Sequence, residues 1–202
     1  MAISSYSAFN QFNQPACRQA GKAFTIVELL VVFAITAILF TSLVFYSRSA
    51  ERQVILFKEQ MKVITALQKA KSLAISAFGE NQAPCGFGVN FDKANNKMTI
   101  FKELPALGND SCSTKDNVYT SSNPSEFYEE IKLDSRTVKF GSLVNSDNGP
   151  FSNIVYISPE PLTIIDNLSS EFATIEITDI SGANKRNVKV TDAGQITAIT
   201  AQ

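Results

Sequence analysis

The chain has 202 residues, 45% of them hydrophobic, and a net charge of −1. That length admits one domain with its own core plus an appendage, and that charge gives no overall field to gather nucleic acid or acidic lipid. Histidine is absent, which removes the commonest general base, the usual metal ligand and every His-dependent triad.

Residues 1–23, "MAISSYSAFNQFNQPACRQAGKA", are polar, with Arg18 and Lys22 as their only charges. A basic approach to an apolar span keeps that side cytoplasmic. The run "FTIVELLVVFAITAILF" then starts at Phe24; it carries one charge, Glu28, and residues 29–47 carry none. A helix over those residues is roughly 28 Å long, close to the ~30 Å hydrocarbon core of a bilayer. A secretory signal would show a shorter core and then a small-x-small cleavage site. Here "YSRSAERQ" follows instead, so ordinary signal cleavage is not expected. An acid beside such a span is a functional candidate by default; the alternative is that Glu28 sits at the headgroups and snorkels there at little cost.

Helical spacing continues past the charges. Phe57, Met61, Ile64, Leu67, Ala70, Ala74 and Phe78 recur at gaps of three or four, with cationic and polar residues such as Lys58, Lys62, Gln68 and Lys69 between them. No proline or glycine interrupts residues 24–78, and Gly79 is a natural terminator. The pattern predicts one helix of about 55 residues, roughly 80 Å long. Its first half is apolar on all faces and its second half amphipathic. Two helices meeting near residues 46–49 are the alternative.

After Gly79 the period becomes two. "GFGVNFD", the turn "KANN" and "KMTIFK" read as a hairpin. Residues 105–130 are polar and aperiodic. Strands are then expected at "TVKFGSLV", "NIVYIS", "FATIEIT", "RNVKVT" and "QITAIT", separated by "NSDNGP", "PEP", "DISGANK" and "DAG". "NSDNGP" reads as a plain turn, and neither a metal site nor a cofactor is expected. The strands form a β-rich layer with antiparallel neighbours, and the amphipathic helix 54–78 is the available cover for one face. Cys17 precedes the apolar run, whereas Cys85 and Cys112 follow it. In an oxidising compartment that even pair suits one disulfide, with two buried thiols as the alternative.

After a cationic polar leader, Ala23, Phe24, Thr25, Ile26, Val27 and Glu28, followed by "LLVVFAITAILF", resemble the type IV prepilin signature. The family usually has glycine directly before the phenylalanine; here Ala23 holds that place and Gly21 lies two residues earlier. The resemblance implies cleavage between Ala23 and Phe24 by a membrane aspartic peptidase, and methylation of the new amino group of Phe24. It also implies that the Glu28 carboxylate pairs with such an amine, its own or a neighbour's, inside an assembled fibre. More loosely, by pattern over 55–200, the chain is similar to the minor pseudopilin H of type II secretion systems and the fimbrial T minor pilins.

The implied fold is α+β and pilin-like. It comprises a removed leader at 1–23, a transmembrane and fibre-core half-helix at 24–47, an amphipathic half-helix at 48–78 and a β-rich head at 79–202. The implied function is structural: a minor subunit of a type II secretion pseudopilus or type IV pilus. Its partners are other pilin-like subunits, the prepilin peptidase, an assembly platform with its ATPase, and the membrane. The implied location is a single pass in the cell membrane, leader side cytoplasmic and head outside, and then a fibre.

A DNA-binding minor pilin serving DNA uptake is the alternative, with Lys185, Arg186 and Lys189 of "NKRNVK" as the candidate patch. Arg18 and Lys22 leave with the leader and take the charge to −3, so nucleic acid is not the expected partner. A membrane-anchored enzyme would have only scattered pairs such as Glu129 with Glu130 or Asp110 with Lys115, and no catalytic residue is expected.

Overall fold

The computed structural model describes residues 25–77, 84–105, 112–157, 162–166 and 170–200. Helix α1 runs Ile26–Ser76 as one element of 51 residues, so the alternative of a break near 46–49 does not hold. The chain divides into two units between Val44 and Phe45.

In the first unit, α1 over Ile26–Val44 is long and apolar enough to cross a membrane, and none of it is buried. Its few hydroxyls are satisfied within the helix. Thr36 donates to the Val32 carbonyl (2.9 Å), Thr41 to Ala37 (2.8 Å) and Ser42 to Leu39 (3.1 Å). Such internal bonding is what a helix in hydrocarbon requires.

Among the described residues, the second unit holds the rest of α1 and nine strands. In chain order these are β1 (Gly86–Asp92), β2 (Lys97–Glu103), β3 (Phe127–Lys132), β4 (Val138–Asn145), β5 (Asn153–Ile157), β6 (Leu162–Ile165), β7 (Phe172–Asp179), β8 (Lys185–Thr191) and β9 (Ile196–Thr200). They form two antiparallel sheets, ordered β3-β2-β1-β5-β6 and β4-β7-β8-β9. The single layer expected from sequence is therefore two layers. After β3 the chain leaves the first sheet to make β4, and returns to it for β5 and β6.

Both sheets share one core with α1. Leu56, Val63, Ala66, Leu67, Ala70 and Ala74 pack with Val89, Met98, Ile100 and Tyr156 of the first sheet and Phe140, Ile175, Val188 and Val190 of the second. The small side chains at 66, 70 and 74 let the helix approach closely. Polar ties fix its position. Gln60 Nε2 donates to the Asn187 carbonyl at 2.8 Å and Lys71 Nζ to the Gly194 carbonyl at 2.9 Å, while Lys69 pairs with Glu129 on β3. Buried Glu59 pairs with Lys62 at 2.8 Å.

Asn96, in the β1–β2 turn, clamps the sheets together. Its Nδ2 donates to the Val138 carbonyl (2.8 Å) and its Oδ1 accepts the Phe140 N–H (3.1 Å). Its φ of 53° is one that asparagine tolerates better than most residues. Gly88 sits where a Cβ would lie 2.5 Å from the Phe101 ring, so the strand can run there only without a side chain.

Candidate assembly site at the start of helix α1

Thr25 and Glu28 open α1 with reciprocal bonds. The Glu28 N–H donates to Thr25 Oγ1 at 3.2 Å, and the Thr25 N–H donates back to Glu28 Oε2 at 3.3 Å. The Thr25 hydroxyl also reaches Glu28 Oε2, at 3.4 Å. This is a capping box, with Thr25 as N-cap and Glu28 three residues later. It satisfies two main-chain donors that an apolar environment would otherwise leave orphaned. The carboxylate also sits at the positive end of the helix dipole. The sequence expectation for Glu28 is pairing with a new N-terminal amine; capping is a further role not included in it, although the T-x-x-E spacing that signals it is plain in "TIVE".

Chemically, the site is a carboxylate held at the head of a helix by the Thr25 N–H and hydroxyl. Ala23 and Phe24, the residues flanking the expected cut, lie outside the described residues.

The other residues singled out from sequence lie in the second unit. Cys85 and Cys112 are joined by a disulfide, with Cα atoms 5.3 Å apart. The bond ties the lead-in to β1 to the short 3-10 turn Cys112–Thr114.

Lys185, Arg186 and Lys189 all fall on β8, but strand alternation sends Arg186 to the face opposite the two lysines. Each also has a local partner. Lys185 pairs with Glu176 at 3.2 Å, Arg186 stacks over Phe57 at 5.4 Å, and Lys189 lies 3.7 Å over the Phe172 ring. The three do not form one cationic surface. "NSDNGP" closes on itself as a turn, with Asn145 Oδ1 accepting the N–H groups of Asp147 (3.1 Å) and Gly149 (2.8 Å).

Residues 18–44 match the family model described as the prokaryotic N-terminal methylation motif. No curated protein matches the chain. Among solved structures it is similar to the minor pseudopilin EpsH from the type 2 secretion system of Vibrio cholerae. That likeness has 12% sequence identity, covers 71% of this chain and 94% of that one, and has a TM-score of 0.39. At its N-terminal end, then, the chain carries the methylation motif of prokaryotic prepilin-type proteins.

Proposed function

We propose that this protein is a minor pilin or pseudopilin: a structural subunit stored in the membrane and then assembled into a type II secretion pseudopilus or type IV pilus. Prepilin peptidase removes residues 1–23 by cutting between Ala23 and Phe24, and methylates the amine of Phe24. Residues 24–47 hold the subunit in the membrane and later pack in the fibre core, 48–78 cover the sheets, and 79–202 face outward. A platform protein and its ATPase extract the subunit into the growing fibre.

The observation that carries this reading is the motif over 18–44, with Glu28 inside it fixed at the head of an exposed apolar helix. Cleavage before Phe24 creates a cationic amine one residue ahead of Thr25, at a helix end whose dipole disfavours a cation. The Glu28 carboxylate is the compensating group. Paired in low dielectric, the two charges attract strongly; unpaired, each is heavily penalised. That asymmetry gives subunits an axial register, as a buried polar group does in a coiled coil.

Intact-mass and N-terminal analysis of the protein from its native membrane tests the processing step, and the expected species starts at Phe24 and is one methyl group heavier. A species starting at Met1, or beyond Ala50, overturns it. For assembly, Glu28→Gln is expected to lower incorporation into fibres roughly a hundredfold or more, the scale of one lost buried ion pair, with membrane insertion retained. Unchanged incorporation would refute the charge pairing.

A further inference from the structure

In the second unit, a cleft of about 450 Å³ opens where α1, the start of β4 and the turn after β7 meet. Arg52 and Ile55 line it from α1, Arg136 and Val138 from the β4 side, and Asp179 and Ile180 from the turn. Its volume is within the usual range for small-molecule sites, roughly 300–1,000 Å³. Ile55, Val138 and Ile180 make the aliphatic part of its wall, beside Thr137 and Ser181, and Ile180 stays 50% exposed at the edge.

Arg52 and Arg136 are both exposed and bring two guanidinium forks to one cleft. Among the described residues neither Arg52 nor Arg136 forms an ion pair. Asp179 lines the same cleft, and its oxygens are also used within its own turn. It accepts the Ser181 hydroxyl (2.8 Å), the Ala183 N–H (3.0 Å) and the Asn184 amide (2.7 Å), which hold that turn together. Asp134 accepts the main-chain N–H of Arg136 at 3.1 Å, and the Arg136 charge also helps to hold its carboxyl low. The complement of this cleft is an anion carried on an apolar body, with oxygens that a guanidinium fork grips in pairs.

We propose that the cleft binds the phosphodiester headgroup of an anionic phospholipid. Arg52 and Arg136 hold the phosphate oxygens, and Ile55, Val138 and Ile180 cover the glycerol and first acyl carbons. A free phosphate would leave that aliphatic wall facing water. The lipid is the favoured source because Arg52 follows Val44, the last residue of the apolar run, by only eight positions. The proposal rests on residues 26–44 lying in a membrane and not on fibre assembly, so the processing and assembly experiments stand or fall separately.

The test uses the full chain in neutral-detergent micelles, with isoleucine methyls labelled for NMR and dihexanoyl phosphatidylglycerol as the probe. Ile55 and Ile180 are expected to shift saturably, while Ile199 on β9 stays in place and reports that the fold is intact. Dihexanoyl phosphatidylcholine, whose headgroup has no net charge, and inorganic phosphate should each bind roughly tenfold more weakly. Arg52→Gln with Arg136→Gln should weaken the phosphatidylglycerol response by a similar factor with the Ile199 signal unchanged. Three outcomes overturn the proposal: no saturable shift at Ile55 and Ile180, an undiminished shift in the double variant, or phosphate binding as tightly as the lipid.

Discussion

Glu103 ends β2 with only 2% of its surface exposed. Burial pushes its carboxyl up to about 7, and the charges of Asp116 and Glu126 add to the rise, against the Asn117 N–H that donates to Oε1 at 3.2 Å. A folded-state value above the unfolded one means that the native chain holds a proton that the unfolded chain releases first. Stability from this group is complete below about pH 4.5 and is lost as pH climbs through about 7. The expected loss is on the order of 2 kcal/mol, after discounting for partial solvation. Other carboxylates act oppositely and lower on the scale. The Asn95 amide holds Asp92 low, Lys97 does so for Glu130, and the Arg136 N–H for Asp134, so their contributions fade only as pH falls through the acid range. Denaturant titrations between pH 5 and 8 should therefore show falling stability, and Glu103→Gln should flatten that slope. A slope equally steep in the variant would place its cause elsewhere.

The disulfide acts on elements rather than on one side chain. Cys85 is locked to the sheet by its N–H, which donates to the Glu103 carbonyl at 2.7 Å, and the bond to Cys112 closes a stretch of chain with a sequence separation of 27. On the chain-entropy model that closure contributes about 3.5 kcal/mol, or about 10 °C in Tm for a domain of this size. Thermal melts of the protein with and without reductant, on a Cys17→Ser background to prevent exchange, measure it; a change of only a degree or two would reject the estimate. The element pattern itself was largely readable. The β1–β2 hairpin and the strands at β4, β5, β7 and β8 show apolar side chains where they are buried, and on the helix Ile64, Leu67, Ala70 and Ala74 do the same. But Phe57 and Met61, assigned to that face by their spacing, are exposed, with Leu56 and Val63 buried instead, and β9 is mostly exposed. Strands β3 and β6 were not readable. β3 is an edge strand, "FYEEIK", in which Glu130 bridges Lys97 and Lys132 at 2.8 and 3.1 Å; edge strands carry charge to prevent stray pairing, and that charge masks their period. β6 has four residues after the sequence "PEP", too short for a period to register. The division into two sheets also escaped the sequence, since it depends on long-range ties such as Asn96 to Val138 and Phe140 that no local spacing announces.

At the scale of the molecule, the core belongs wholly to the second unit. Every residue of the buried hydrophobic cluster is at or beyond Leu56, whereas Ile26, Leu30, Phe33, Ile38 and Phe40 of the first unit are each more than 60% exposed. A soluble protein does not ordinarily leave so long an apolar stretch uncovered, because each such side chain forgoes about 1.5–3 kcal/mol of burial; a bilayer or the helices of neighbouring subunits would supply the cover. Stability and solubility should therefore separate along the chain. A protein beginning at Phe45 keeps all of the described core, the disulfide and both sheets. It is expected to unfold cooperatively in plain buffer, within about 3 °C of the full chain in detergent. The full chain without detergent should aggregate through residues 26–44, and replacing three of those residues, Leu30, Phe33 and Ile38, with lysine should relieve that aggregation without moving the melting transition. Differential scanning calorimetry with light scattering reads both quantities at once. Loss of the cooperative transition in the shortened protein would mean that the apolar run helps to hold the head together.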